Sequence, residues 1–123
     1  MPLQRQIITL CVMTHIGNNV YTRLPFTDLA KFFKLLSEPN RLRILCSMGL
    51  DCVAVSSIIA RTGLSQTNVS FHLRALREAG VVKAERRGGY VFYCLYDFRI
   101  LDLLSEMDEW RSNQQNQLEK QDI

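Results

Sequence analysis

The chain has 123 residues, of which 47% are hydrophobic, and a formal net charge of +3. This length and composition suit a single small globular domain with a modest core and exclude a second domain of ordinary size. The charge is small but uneven. Residues 61–90 hold six Lys and Arg against two Asp and Glu, whereas residues 97–123 hold three against seven. A positive segment of this kind suits a nucleic-acid partner, although counts this small also fit chance clustering on a solvated surface.

Residues 1–24 are predicted to be an N-terminal extension. Its apolar stretch, residues 7–13, is too short to span a bilayer, and no small-residue cleavage pattern follows it. We therefore expect a cytoplasmic protein with no membrane partner. The run Gly17-Asn18-Asn19 predicts a break. Residues 4–16 then either form a short extra helix that packs across a dimer or lack order.

Two amphipathic helices are predicted next. The first begins at Thr27, a good N-cap residue, and has a broad apolar face. Pro39 ends this helix and begins the second one. The spacing of the second helix places one set of residues in the core and two arginines in solvent: Leu42, Ile44, Leu45 and Met48 inward, Arg41 and Arg43 outward.

A helix-turn-helix is predicted between residues 53 and 80. Residues 53–63 give a short helix that ends at Gly63, and a compact turn joins it to a second helix. Ser65 is the predicted N-cap of that second helix, because its hydroxyl can accept from the amide of Asn68. Gly80 is the predicted stop. The buried stripe consists of Val69, Leu73 and Leu76, and His72 at its edge is expected to be a partly buried structural histidine.

The opposite side of this second helix is polar near its N-terminus. At 100° per residue, the exposed residues are Gln66, Thr67, Ser70, Phe71, Arg74, Arg77 and Glu78. Side chains on the first two turns of such a helix can reach base edges in a major groove. An ordinary amphipathic surface helix has the same pattern, so this helix alone does not establish DNA binding.

A β-hairpin with a basic tip is predicted after Gly80. Residues 81–85 and 90–96 are rich in β-branched and aromatic residues, and the turn has the sequence Arg86-Arg87-Gly88-Gly89. Helices followed by such a hairpin predict a winged helix-turn-helix, which is mainly α with a β-hairpin wing. We expect Arg86, Arg87 and Tyr90 to contact DNA.

The last predicted helix begins near Phe98 and carries apolar residues as far as Trp110. Together with the first helix it has more apolar surface than one small domain needs, which predicts a dimer held by residues 27–37 and 97–110. The predicted winged helix domain covers residues 25–112. Residues 113–123 are predicted to be a polar tail that frays.

The chain resembles the ArsR/SmtB family of bacterial transcriptional repressors between Leu29 and Trp110. The resemblance rests on the order and spacing of LSEPNRLRILCSMG, LSQTNVSFHLRALREAGVV and RRGGYVFYCLYD. It implies a homodimeric winged helix that binds an imperfect palindrome in a promoter and is released by an inducer. A twofold dimer would set two recognition helices about one DNA turn, ~34 Å, apart.

The two metal sites that recur in this family are incomplete here. Its Cys-Val-Cys motif aligns with Ala54-Val55-Ser56, so both thiolates are missing. On the last helix Asp97 matches a ligand, but Arg99, Trp110 and Asn113 occupy the other ligand positions. Because Arg99 would repel a cation, zinc is not expected at that site.

Four cysteines remain, and in a cytosolic protein we expect them to be reduced thiols. Cys46 matches one of the two reactive cysteines of the persulfide- and oxidant-sensing branch of the family, whose second position falls near Ser112 here. This two-cysteine switch is therefore incomplete unless Cys11 or Cys52 replaces the second cysteine. Alternatively, Cys11, His15 and Cys52 could hold arsenite or another soft metal ion. For Cys46 and Cys94, the simpler interpretation is a small buried apolar residue.

Two functions fit the sequence. The first is a transcriptional repressor that a thiol-directed inducer, such as arsenite, a soft metal, reactive sulfur or an oxidant, releases from its operator. The second is a winged-helix dimer that senses no small ligand and is constitutive or controlled by a protein partner. An enzyme is not expected, because no nucleophile–base pair or phosphate-binding glycine loop is present.

Overall fold

The computed structural model describes residues 20–121. The described residues fall into two compact units that divide between residues 33 and 34. The predicted N-terminal helix, together with Cys11 and His15, lies outside the described residues. The proposed domain boundaries after residues 24 and 112 therefore stay predictions.

The first unit contains a 3-10 helix, Val20–Arg23, and most of helix α1, Phe26–Leu36. The prediction of Thr27 as the N-cap is wrong, because Thr27 lies inside the first turn. Helical hydrogen bonding begins two residues before Thr27, where the Leu29 amide donates to the Pro25 carbonyl at 2.9 Å.

Helix α2, Pro39–Met48, begins at the proline that the sequence indicated, and Glu38 caps it by accepting from the Asn40 amide at 3.4 Å. A proline fits this first position because it has no amide hydrogen, and an amide hydrogen at the start of a helix would find no hydrogen-bond acceptor within the helix. The predicted inward residues are confirmed, because Ile44, Leu45 and Met48 are buried and Leu42 packs against them.

Strand β1, Val53–Ala54, was missed by the sequence analysis, which began a helix at Val53. The strand has only two residues, and its partner strand lies far along the chain, since Val53 pairs with Tyr93, 40 residues later. Such a distant pairing leaves no periodic signal in the local sequence. Helix α3, Val55–Thr62, follows at once and ends at Gly63, which adopts the left-handed conformation with φ of 72°.

Helix α4, Gln66–Glu78, has the caps predicted for it. Ser65 Oγ accepts from the Asn68 amide at 3.2 Å, which satisfies one of the unpaired amides of the first turn. At the other end Gly80 has a positive φ of 76°, and the Val81 amide donates back to the Leu76 carbonyl at 2.9 Å. This closure directs the chain into the hairpin.

Strands β2, Val82–Arg87, and β3, Tyr90–Leu95, form the predicted hairpin, with a turn at Gly88 and Gly89. The strands make an antiparallel sheet in the order β1-β3-β2. The helix-turn-helix followed by this hairpin confirms the predicted winged helix-turn-helix, mainly α with a β-hairpin wing.

Helix α5, Arg99–Gln121, is longer than predicted. The expectation that residues 113–123 fray is wrong for residues 113–121, which continue the helix. Glu, Gln, Lys and Leu in this segment are good helix formers. Side-chain contacts also support the middle of the helix, where Arg111 donates to Asp108 at 2.8 Å and to Gln115 at 3.4 Å.

The core of the second unit lies between α2, α3, α4 and the inner side of the sheet. Its buried members are Leu36, Ile44, Leu45, Met48, Val53, Ile58, Val69, Leu73, Leu76, Val81 and Val82. Three of them form the predicted inner stripe of α4, so the opposite side of that helix must face solvent. Between residues 20 and 121, no helix combines the length and the hydropathy needed to cross a membrane.

Candidate nucleic-acid interface and thiol sites

The outer side of α4 presents every residue that was predicted to contact bases. Gln66, Thr67, Ser70, Phe71, Arg74 and Arg77 are all exposed. The phenylalanine in this set is well exposed, since 63% of Phe71 is accessible to solvent. This side therefore offers polar, cationic and apolar contacts together, which are the contacts that read base edges and thymine methyl groups.

The two arginines of this surface are not equivalent. Arg74 donates through Nε to Glu78 at 3.0 Å, and both side chains are well exposed, so water weakens this ion pair. Arg77 takes part in no ion pair within the described part of the chain. Arg77 can therefore bind a base or a phosphate without losing an ion pair, whereas Arg74 must first break its ion pair with Glu78.

His72 links α4 to α2. It is buried, as predicted, and its Nδ1 accepts from Arg41 Nε at 3.2 Å. Arg41 also donates to the Leu35 carbonyl at 3.1 Å. The prediction that Arg41 faces solvent is wrong, because its guanidinium joins three helices. Arg43, by contrast, is exposed as predicted.

The tip of the hairpin is basic and exposed. Arg86, Arg87 and Tyr90 all face solvent. Arg87 donates to Glu85 Oε2 at 3.0 Å, and its guanidinium lies 5.6 Å from the centre of the Phe92 ring. Arg86 makes no ion pair with any described residue. The sequence predicted the same role for both arginines. Of the two, only Arg86 lacks an anionic partner among the described residues.

The Glu85 carboxylate fixes the position of the Arg87 side chain through their hydrogen bond. The hydrogen bond from Arg87, helped by the charges of Arg87 and Lys83, keeps the pKa of the Glu85 carboxyl below its ordinary value. Lys83 Nζ lies 3.6 Å from the second oxygen of this carboxylate. Glu85 therefore stays ionised down to more acidic pH than a free carboxylate and keeps its two cationic neighbours near the base of the tip.

The carboxylate that matched a metal ligand on the last helix already has a partner. Arg99 donates to Asp97 Oδ2 through Nη2 at 2.6 Å and through Nε at 2.9 Å. The hydrogen bonds from Arg99 lower the pKa of Asp97. The Asp97 carboxylate is therefore bound by a cationic side chain at the start of α5, and the absence of zinc from this site stays a prediction. At the other family site, Ala54 and Ser56 offer no thiolate.

Cys46 is a free, exposed thiol. The alternative that it is a small buried residue is wrong, because the buried residues of α2 are Ile44, Leu45 and Met48 and Cys46 lies on the solvent side of the helix. Its accessibility makes it available to thiol reagents.

Cys52 and Cys94 form a disulfide. The expectation that all cysteines are reduced is wrong for this pair, whereas the burial expected of Cys94 is confirmed. Val53 lies opposite Tyr93, so the same antiparallel register places Cys52 opposite Cys94. This proximity depends on the pairing of β1 that local sequence did not reveal. The predicted site of Cys11, His15 and Cys52 cannot be traced, since its first two members lie outside the described residues.

A carboxylate accompanies the cysteine pair. Glu85 Oε2 lies 4.0 Å from Cys52 Sγ, and the potential ligand atoms of Cys52, Glu85 and Cys94 all lie within 4.8 Å of one another. In the disulfide form the two sulfurs are bonded to each other, and Glu85 is bound by Lys83 and Arg87. In this structure Cys52 and Cys94 therefore form a disulfide crosslink, which lies beside the ion pairs of Glu85.

The helix-turn-helix, the exposed outer side of α4 and the basic hairpin define a winged-helix transcriptional regulator. A family model described as bacterial regulatory protein, arsR family, matches residues 38–84. An uncharacterized HTH-type transcriptional regulator of Methanocaldococcus jannaschii is 35% identical over 68% of this chain and 96% of its own length. The chain belongs to the ArsR family of transcriptional regulators.

Further relatives have more specific names. The cadmium resistance transcriptional regulatory protein CadC of Listeria innocua is 35% identical over 76% of this chain and 82% of its own length. A transcriptional repressor SmtB homolog of Synechocystis is 34% identical over 65% of this chain. This match spans 61% of the SmtB homolog, which is less than two thirds of its length.

Solved structures have the same fold. The crystal structure of Mycobacterium tuberculosis Rv0081 superposes with a TM-score of 0.67 and 32% identity, covering 76% of this chain and 96% of that one. A homodimeric winged helix-turn-helix DNA-binding domain of Mycobacterium bovis Mb0332 superposes with a TM-score of 0.64 and 25% identity, covering 80% and 94%.

Proposed function

We propose that this chain is a cytoplasmic repressor of transcription that binds a palindromic promoter operator as a homodimer. The observation that carries the proposal is the outer side of α4, where polar and cationic residues are exposed while the opposite side is anchored in the core. A helix held in this way presents a rigid reading surface, and the basic hairpin adds contacts to the DNA backbone.

The proposed dimer interface uses α1 and α5. On α1 the apolar residues Phe26, Leu29, Phe32 and Phe33 are exposed, and on α5 Leu103, Met107 and Trp110 are exposed. Monomeric proteins rarely leave such apolar surface uncovered, and the Mycobacterium bovis relative is a homodimer. Two copies would place two α4 helices on successive half-sites, which one copy cannot do.

Sequence selectivity is assigned to the exposed residues Gln66, Thr67, Ser70, Phe71 and Arg74, which we propose lie in the major groove. Arg74→Ala is expected to cost about 1–3 kcal/mol at the base pair that Arg74 reads and little at other positions. Operator variants changed one base pair at a time would locate that position. Arg43→Ala, an exposed arginine on α2 outside the proposed interface, is the control. An equal loss on every operator variant would assign Arg74 to phosphate instead.

Affinity that does not depend on sequence is assigned to the hairpin tip. Arg86→Ala is expected to weaken binding to all DNA sequences and to reduce the slope of log affinity against log salt by about one, because one phosphate contact is lost. Arg87→Ala should change the slope less, since Glu85 already balances its charge. Arg99→Ala, which removes a guanidinium paired with Asp97, is the matched control. A change of sequence preference with an unchanged salt slope would mean that the tip reads bases.

We further propose that the inducer acts on thiols. Neither of the two metal sites that recur in the family is complete, Cys46 is exposed, and CadC, a relative of this chain, is named for cadmium resistance. Among the predicted sensing residues, Cys11, His15, Cys46 and Cys52, only Cys46 is a free thiol among residues 20–121.

The inducer proposal predicts that arsenite or polysulfide releases the protein from its operator and that zinc does not. Operator affinity should be measured with arsenite, zinc, peroxide and polysulfide for the unchanged chain and for Cys11→Ser, Cys46→Ser and Cys52→Ser. The variant that abolishes release identifies the sensing thiol. Unchanged affinity with all four compounds would favour the alternative of a regulator without a small-molecule inducer.

A further inference from the structure

We propose that Cys52 and Cys94 are a reversible dithiol/disulfide pair, oxidised by hydroperoxides, that fastens the wing to the helix-turn-helix. The disulfide joins Cys52, which immediately precedes β1, to Cys94 in β3. The effect of this cysteine pair on operator affinity rests on the proposed function, whereas the thiol chemistry of the pair does not. The pair involves neither Cys46 nor the last helix, so it is separate from the two-cysteine arrangement implied by the family resemblance.

The backbone brings the two cysteines together without the bond. In the antiparallel register, Val53 lies opposite Tyr93 and Ala54 opposite Phe92. Cys52 therefore continues the ladder opposite Cys94, and their Cα atoms are 4.3 Å apart. Directly opposed residues in antiparallel strands have about this separation. Reduced thiols at these positions would remain neighbours, which is what a pair needs in order to close and open repeatedly.

The two sulfurs differ in accessibility, and this difference assigns their roles. Cys52 is half-buried, whereas only 5% of Cys94 is exposed. A dissolved oxidant therefore meets Cys52 first. Redox-active cysteines are commonly accessible and have a resolving cysteine beside them. Cys94, buried and directly opposite, is placed to be that resolving cysteine.

The chemistry balances with a hydroperoxide as the oxidant. The Cys52 thiolate attacks the terminal peroxide oxygen, the O–O bond breaks, and the alcohol, or water from hydrogen peroxide, leaves with a proton. Cys52 becomes a sulfenic acid. The Cys94 thiolate then attacks that sulfur, the S–O bond breaks, and water leaves. In total two thiols lose two electrons and two protons, and the peroxide takes them up. A dithiol reductant reverses the bond by thiol–disulfide exchange.

The charges around the pair favour redox chemistry over metal binding. Glu85 is the third potential ligand, but Arg87 Nη2 lies 3.0 Å and Lys83 Nζ 3.6 Å from its carboxylate oxygens. These two cations oppose the approach of a metal cation and already bind the carboxylate that would hold it. A hydroperoxide carries no charge and meets no such barrier.

The bond should matter for the wing because β1 has only two residues. Without the crosslink, two residue pairs hold β1 to β3, whereas six pairs join β2 to β3. Cys52 is followed by β1 and α3, the first helix of the helix-turn-helix, and β3 is paired with the strand that bears Arg86. Oxidation therefore fastens the hairpin to the DNA-reading unit. A hairpin held in one arrangement loses less conformational freedom on binding DNA, so the oxidised protein should bind more tightly.

The first test maps the thiols of the full-length chain. The protein is reduced with a dithiol, freed of reductant, treated with hydrogen peroxide and alkylated before peptide analysis. We expect a Cys52–Cys94 linked peptide that a dithiol converts back to two alkylated peptides, while Cys46 remains open to alkylation. Cys94→Ser should stop at the Cys52 sulfenic acid, which a dimedone-type reagent traps, and Cys52→Ser should leave Cys94 unoxidised. Cys46→Ser is the control and should still form the bond.

Two results of this mapping would overturn the proposal. One is that Cys52 and Cys94 both remain open to alkylation after peroxide treatment. The other is that the bond survives dithiol under native conditions, which would make it a permanent crosslink. Because Cys94→Ser could impair folding, Cys94→Ala is a second variant for the trapping step, and the unchanged chain decides the question without either variant.

The second test measures amide hydrogen exchange and operator affinity in both redox states. Reduction should increase exchange in β1 and β3 while leaving α2 and α4 unchanged, and it should weaken operator binding several-fold. Equal exchange in the two states would overturn the role of the bond in holding the wing. Failure to bind any operator in either state would contradict the proposed function, whereas thiol mapping still decides the redox pair.

Discussion

Leu73→Ala is expected to lower the free energy of unfolding by about 2–5 kcal/mol. Leu73 is only 1% exposed and lies on the inner side of α4, within the main core. Removing its side chain beyond Cβ loses the transfer energy of those atoms and leaves a cavity that close-packed neighbours fill only in part.

The measurement is denaturant unfolding at one fixed protein concentration and redox state, since both dimerisation and the disulfide change apparent stability. Leu118→Ala is the matched control. It is the same substitution in a helix, but Leu118 is 63% exposed, so the change should stay within about 0.5 kcal/mol. A loss below about 1 kcal/mol for Leu73→Ala would show that α4 is not anchored as described. The same variant should also weaken binding to every operator sequence, because Ser70 and Arg74 occupy the neighbouring turns.

The recognition helix could be predicted from the sequence because its determinants are local. Ser65 caps its own helix three residues ahead, Gly80 closes it, and the three- and four-residue spacing of the buried stripe defines the outer side. The hairpin was equally visible, since two strands and a Gly-Gly turn lie within sixteen residues. The proposed DNA contacts depend on the recognition helix and the hairpin. Both elements could be predicted because the residues that determine each of them are close together in the sequence.

What the sequence did not reveal depends on contacts between distant segments. Strand β1 exists because it pairs with β3, and the Cys52–Cys94 bond, whose cysteines are 42 positions apart in the sequence, follows from that register. Arg41 appeared solvent-facing because helical periodicity cannot show that the His72 ring lies in front of it. The unequal state of Arg86 and Arg87, by contrast, has a local cause, because Glu85 and Arg87 are two residues apart in β2 and share one face of the sheet, whereas Arg86 lies on the other face.

Met107→Glu is expected to convert the protein to a monomer at micromolar concentration. Leu103, Met107 and Trp110 follow one another at spacings of four and three residues, so they share one side of α5, and all three are exposed. In a twofold interface each substitution occurs twice. Burying a carboxylate among apolar groups costs several kcal/mol, so the dimer dissociation constant should rise by more than about 100-fold.

Sedimentation velocity and operator titration would test this prediction together. Ser105→Glu adds the same charge about 200° around α5 from Leu103, at 100° per residue, and should leave the dimer intact. A stable monomer of the unchanged chain at micromolar concentration would contradict the proposed dimer, and equal dissociation by both glutamates would contradict the assigned face. If Met107→Glu alone dissociates the protein, its operator affinity should fall towards that of a single half-site, because one copy of α4 makes too few base contacts to select a promoter among competing genomic sequences.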